Sequence, residues 1–342
     1  MIKNRRNTAH IASGTCLYVS ISVAESGEKI MTISIATAPC SWGVDDPKNP
    51  FLPPWRKVLK EAAPAGGKSL ELGPWGFLPV EPGELKAALS EYHLSIVAGT
   101  IFDDLVSEDN FPAMIALTHK ICRNLSALTR NGESGSEGQP APYLVIIDFG
   151  APERAAAAGQ SAKAPRLSDS DWQTLMRHIT TLSEIAWKEY GVRPVIHPHA
   201  GGCIEFADEL EKLVHDIPPR VAGLCLDTGH LYYAGMDPVA TLERYWDRID
   251  YLHFKDVKEA VWRRAIEEGQ DFFTACAQGV MCPLGHGAIN YPQVHAFLRQ
   301  RHYEGWITIE QERDPRDADT SLRDVTASLH YLHSVGFLGE RS

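Results

Sequence analysis

Apolar runs of strand length alternate with stretches of helical period eight times between residues 32 and 335. This rhythm constrains the fold more than any other feature of the chain. A strand followed by a helix brings the next strand back parallel, and eight such units close most simply into a barrel. The candidate strands are TISIATA (32–38), KSLEL (68–72), LSIVAG (94–99), PYLVIID (142–148), RPVIH (193–197), VAGLCLD (221–227), DYLHF (250–254) and WITIE (306–310). Helices are expected from about Pro54, over Pro82–Tyr92, and over about 109–129, 168–189 and 291–301. Three more carry apolar faces: Phe206, Leu210, Leu213 and Val214; Val239, Leu242, Trp246 and Ile249; and Leu322, Val325, Leu329 and Leu332.

The fold class read from this pattern is α/β, a single (β/α)8 TIM barrel over 31–342 behind a short N-terminal extension, 1–30. Continuous apolar strands suit a sheet covered on both faces. A doubly wound open sheet is the alternative, but no Gly-rich dinucleotide fingerprint follows the first strand. The extension begins MIKNRR, and its apolar stretch is broken by Ser, Thr and Gly without a clean A-x-A site, so it reads as a leader without a catalytic role or a misplaced start. Two Gly-, Ala-, Ser- and Pro-rich segments, 130–142 and 153–166, read as flexible loops around the fourth strand, the second overhanging its C-terminal end.

Barrel active sites sit at the C-terminal ends of the strands. Collected there are Glu71 from strand two, His197 and His199 from strand five, and Asp227 with His230 from strand six. Strand seven adds His253, Lys255 and Asp256, and strand eight Glu310 and Glu312. A single His at a strand end is commonly a hydrogen-bonded core residue, and an Asp before Thr-Gly a turn acceptor. Several on neighbouring strands instead form a mixed nitrogen and oxygen set suited to one divalent ion. Cys225 is expected to point away from the Asp227 face.

Composition narrows the partners. A net charge of −11 disfavours nucleic acid, because phosphate-binding surfaces are basic. No apolar run is long enough to span a bilayer. Seven cysteines without a CxxC pair read as free thiols of a reducing, cytoplasmic setting. The expected partner is a small molecule, with self-association left open.

Seven motifs, in order, carry a family resemblance: APCSWGV (38–44), LELGPWGFLP (70–79), HPHAGG (197–202), CLDTGHLYYAG (225–235), LHFKDV (252–257), PLGHG (283–287) and GWITIEQERDP (305–315). From about 32 to 335 the chain resembles the xylose-isomerase-like TIM-barrel sugar isomerases and epimerases, and within them the inosose (2-keto-myo-inositol) dehydratases. The resemblance implies a divalent ion, Mn or Co before Zn or Mg, held by Asp227, His253 and Glu310 with His197 where epimerases of this kind carry Glu. Losing that carboxylate suits elimination better than epimerisation, which uses two opposed carboxylates. His286 and Asn290 stand where such dehydratases often carry acids.

The reaction expected is loss of the β-hydroxyl from a cyclic keto-polyol. Glu310 is the base, Lys255 a rival base or electrostatic aid, and His199 or His230 the acid for the departing hydroxyl. Trp42 and Trp75 would wall the ring, and Glu71 and Glu312 would meet its hydroxyls. A keto-sugar isomerase or epimerase is the alternative, and a metal-free binding barrel the second. Related eliminations on dehydroshikimate or 3-keto-glycosides are also open, whereas a DNA-repair endonuclease of this barrel class is disfavoured by the acidic charge.

Overall fold

The computed structural model describes residues 32–65, 68–129 and 142–338. The expectations for residues 1–30, and all but Pro142 of the 130–142 loop, lie outside these residues. Eight parallel strands close a barrel: β1 (Thr32–Thr37), β2 (Ser69–Glu71), β3 (Ser95–Asp103), β4 (Tyr143–Asp148), β5 (Arg193–Ile196), β6 (Gly223–Asp227), β7 (Ile249–Phe254) and β8 (Glu304–Ile309). Sequential strands are neighbours, and β1 pairs with β8 from Thr32↔Glu304 to Thr37↔Ile309 to close the ring. The expected (β/α)8 barrel is therefore the fold.

Alternation along β4 shows why its sequence is apolar without interruption. Tyr143, Val145 and Ile147 pack inside the barrel, while Leu144 and Ile146 pack outward beneath the helices. Burying a side chain of this size contributes roughly 1.5–3 kcal/mol, so both faces stabilise the closed sheet. Tyr143 and Tyr251 stack inside the barrel, centroids 4.5 Å apart and 10° between planes. The site lies beyond this plug, because residues two further along the same faces of β6, β7 and β8 emerge at the top.

Local signals set the helices. Ser168 caps the long helix Asp169–Tyr190 by accepting from the Asp171 N–H at 3.2 Å, and Gly191 ends it at φ 68°. The expected helix through Trp246 and Ile249 instead stops at Arg244, and a 3-10 turn, Trp246–Arg248, leads into β7 with Ile249 as its first residue. The segment after β7 is ordered into short elements. It holds a two-stranded antiparallel ribbon, Asp256–Val257 with Met281–Cys282, and two helices, Glu259–Glu268 and Phe272–Ala277.

The segment 153–166 also differs from the flexible loop its composition suggests. A short helix, Pro152–Ala155, buries Arg154. That guanidinium forms a two-pronged pair with Glu209 at 2.8 and 3.0 Å, and also donates to the carbonyls of Gly202 and Pro165. Arg154, with Arg166 paired to Asp208 at 2.8 Å, thus ties the Ala-rich run to the barrel, which no compositional average registers.

Candidate metal centre and reaction cavity

Asp227 ends β6 and begins the helix Thr228–Tyr233. Its Oδ1 accepts from the N–H groups of Gly229 at 2.8 Å and His230 at 2.9 Å, so one oxygen caps the helix while Oδ2 faces the site. Gly229 is required here, since a Cβ would lie 2.4 Å from the Cβ of Lys255. One carboxylate of CLDTGH thus serves as the turn acceptor through Oδ1 and keeps Oδ2 available to the site.

His197, Asp227, His253 and Glu310 bring one potential ligand atom each to within 4.8 Å of one another, and all four are buried. His197 Nε2 lies 3.7 Å from Asp227 Oδ2, and His253 Nδ1 lies 3.8 Å from that oxygen and 3.0 Å from Glu310 Oε2. The other ring nitrogen of His253, Nε2, meets Glu71 Oε1 at 2.9 Å, and Tyr251 donates to the same oxygen at 2.6 Å. A carboxylate behind a histidine is the usual support of a metal-ligating imidazole. It leaves Nδ1 of His253 buried, without a hydrogen-bond partner, and turned toward two carboxylates. The donor set fits a divalent cation.

Charge supports that fit. Glu71, Asp227, Glu310 and Glu312 converge here, with Lys255 as the ammonium among them. Lys255 Nζ lies 2.9 Å from Asp227, 2.6 Å from Glu310 and 2.8 Å from Glu312, in a side chain 1% exposed. Burial favours neutral lysine, but the three carboxylates outweigh it and hold its pKa well above the ordinary value. These contacts favour the ammonium form of Lys255 and its role as an electrostatic aid. Burial raises the Asp227 carboxyl, yet Lys255 and the two histidines pull it down to about 2. Glu310 is likewise held well below the carboxylate range against burial, by His253 and Lys255. Glu312 goes the other way: burial, with Glu310 and Asp227 nearby, lifts it to about 7 against the pull of Lys255.

His199 and His230 stand beside this centre with ring centroids 4.0 Å apart. Burial, reinforced by neighbouring His and Lys charges, pushes both well below the ordinary imidazole value. Both rings are thereby favoured in the neutral form.

Glu71, His197, His199, His253, Lys255, Glu310 and Glu312 all line one cavity. Trp42 does not: it is fully buried and its indole N–H donates to Glu61 at 2.7 Å, which makes it a core residue. Trp75 also lies off the cavity lining, packed against the core cluster. Cys225 is inside the barrel with Tyr251, on the same face as Asp227, since residues two apart on a strand share a face. Asp256 turns away to accept from the N–H groups of Gly285, Gly287 and Ile289. His286 is exposed, and Asn290 caps the helix Tyr291–Gln300 through the Gln293 N–H.

Sequence reasoning missed Cys40, Asp45, Phe102, Ile147 and Phe273, which complete the walls. Asp45 was legible as an acid just beyond strand one. Phe273 was not, because it comes from the helix Phe272–Ala277 folded in from the segment after β7.

The xylose isomerase-like TIM barrel family profile matches residues 59–332. An inosose dehydratase of Geobacillus kaustophilus is 31% identical over 290 residues, covering 82% of this chain and 88% of that protein. Among solved structures, a probable 3-DHS dehydratase of Bacillus anthracis superposes with a TM-score of 0.63 at 14% identity, over 88% of this chain and 98% of that one. An IOLI protein with a bound zinc atom gives 0.60 at 14% identity, over 88% and 97%. Sequence profile, barrel and donor set agree: this chain belongs to the xylose isomerase-like TIM barrel family.

Proposed function

We propose that this chain is a divalent-metal-dependent hydro-lyase that dehydrates a cyclic keto-polyol such as 2-keto-myo-inositol. The observation that carries the reading is the His197–Asp227–His253–Glu310 quartet with Lys255 and Glu312 against it. The similarity to the Geobacillus kaustophilus inosose dehydratase supports the substrate class. The quartet would hold the ion, Mn or Co before Zn or Mg; when bound, its charge favours loss of a proton beside a ketone.

The chain's own groups do the rest. Glu310, kept ionised beside Lys255 and His253, takes the α-proton, and the C–H electron pair becomes the new C=C bond as the β-C–O bond breaks. Glu312 returns a proton to the departing hydroxyl, which leaves as water. Lys255 stays protonated and holds the Glu310 carboxylate and the Glu312 carboxyl group in place. Phe102, Ile147 and Phe273 exclude water from one side of the ring. Six free, buried cysteines among the described residues fit a cytoplasmic enzyme, and no helix there is long and apolar enough to cross a membrane.

Incubation with 2-keto-myo-inositol and Mn(II) in D2O, followed by NMR, tests the reading. The enol left by this elimination tautomerises, so a deoxy-diketone with two hydroxyls fewer is expected, one lost as water and one converted to the second ketone. Deuterium entering with every hydroxyl retained would assign the site to an epimerase or isomerase instead.

A further inference from the structure

One peptide residue addresses both histidines beside the metal centre. The carbonyl of Ala200 lies 2.9 Å from Nδ1 of His199, and the N–H of Ala200 lies 3.1 Å from Nδ1 of His230. A carbonyl only accepts and an amide N–H only donates. Nδ1 of His199 must therefore carry a hydrogen, and Nδ1 of His230 must not. In neutral rings the opposite holds at Nε2: His199 offers a lone pair and His230 offers an N–H. His230 Nε2 is buried without a hydrogen-bond partner, 3.9 Å from Glu312 Oε1, and both His199 and Glu312 line the cavity.

We propose that Ala200 locks His199 and His230 in opposite tautomers, making them a paired acceptor and donor for one substrate hydroxyl. Only a group that both gives and receives a hydrogen bond satisfies the two rings. A hydroxyl does so, whereas a carboxylate or phosphate oxygen meets His230 but turns a lone pair on the lone pair of His199. This deepens the proposed function and rests on it only for the identity of the hydroxyl.

The loop that presents Ala200 is built to keep this polarity. Glu205 accepts from the Gly201 N–H at 2.9 Å and from the Gly159 N–H at 2.6 Å. Asp148 accepts from the Cys203 N–H at 2.9 Å, and Arg154 donates to the Gly202 carbonyl at 2.8 and 2.6 Å. Gly202 leaves no room for a side chain, since a Cβ would sit 2.3 Å from the Asp148 carbonyl. Glu205 and Arg154 are thus positioning residues for the Ala200 peptide.

The experiment is long-range 1H–15N NMR on the full chain labelled at histidine, with His199→Gln and His230→Gln assigning the signals. Unaltered protein should show His199 as the Nδ1–H form and His230 as the Nε2–H form, and myo-inositol should move both Nε2 resonances. Glu205→Gln, which keeps the side-chain shape, should convert at least one ring to a tautomer mixture. Identical tautomers, an imidazolium at either position near pH 7, unchanged tautomers in Glu205→Gln, or resonances indifferent to myo-inositol would overturn the inference. None of these readings requires turnover, so failure of 2-keto-myo-inositol to react would count against the proposed reaction alone.

Discussion

The two halves of the barrel mouth differ in kind. Strands β5–β8 contribute His197, His199, Asp227, His230, His253, Lys255, Glu310 and Glu312, which are densely coupled through hydrogen bonds and charge. The first half contributes mostly walls, among them Pro39, Val44, Phe102 and Ile147, with Glu71 and Asp45 as its acids. Even Glu71 works for the other side, because its carboxylate backs His253. One half concentrates charge and the other shape, so substitutions in the two halves should fail differently.

The largest break is expected at Asp227→Asn, which keeps the volume but removes the charge facing His197, His253 and Lys255. Turnover should fall by about a thousandfold, and bound divalent metal per chain, measured by elemental analysis, should fall with it. Full metal occupancy in this variant would mean that the quartet is not the ion's site. Glu71→Gln should be milder, costing about 10- to 100-fold in metal affinity by chelator competition, since it supports a ligand instead of being one. An unchanged affinity would move Glu71 to a substrate role.

On the wall side, Phe102→Ala should raise KM by about tenfold with kcat nearly unchanged, the signature of lost binding common to ground and transition states. An equal fall in kcat would erase the distinction between the halves. The last effect is on stability alone, away from the metal centre. Burial lifts Glu205 from 4.5 to about 7, more than its Gly159 and Gly201 N–H partners and Arg154 offset. The folded protein keeps this proton where the unfolded chain has lost it. The contribution is therefore complete below pH 4.5 and disappears as the pH rises to about 7. Denaturant unfolding of Glu205→Gln should lose that fall, a difference of about 1–3 kcal/mol across the window. Parallel pH profiles for the two proteins would show Glu205 ionised throughout.

The sequence by itself determined the barrel, because strand and helix periodicities are local and repeat eight times. It also determined the candidate ligands, because strand ends in such a barrel converge whatever the loops do. His197, Asp227, His253 and Glu310 were legible one strand at a time. Only the tertiary structure decided what each group does there. The ammonium state of Lys255 depends on carboxylates 28 and 55 residues distant along the chain. Trp42 left the candidate site because its indole found Glu61, and Phe273 entered it because the segment after β7 folds back. Protonation, tautomer and exposure are sums over neighbours in space, and those neighbours come together only when the barrel closes.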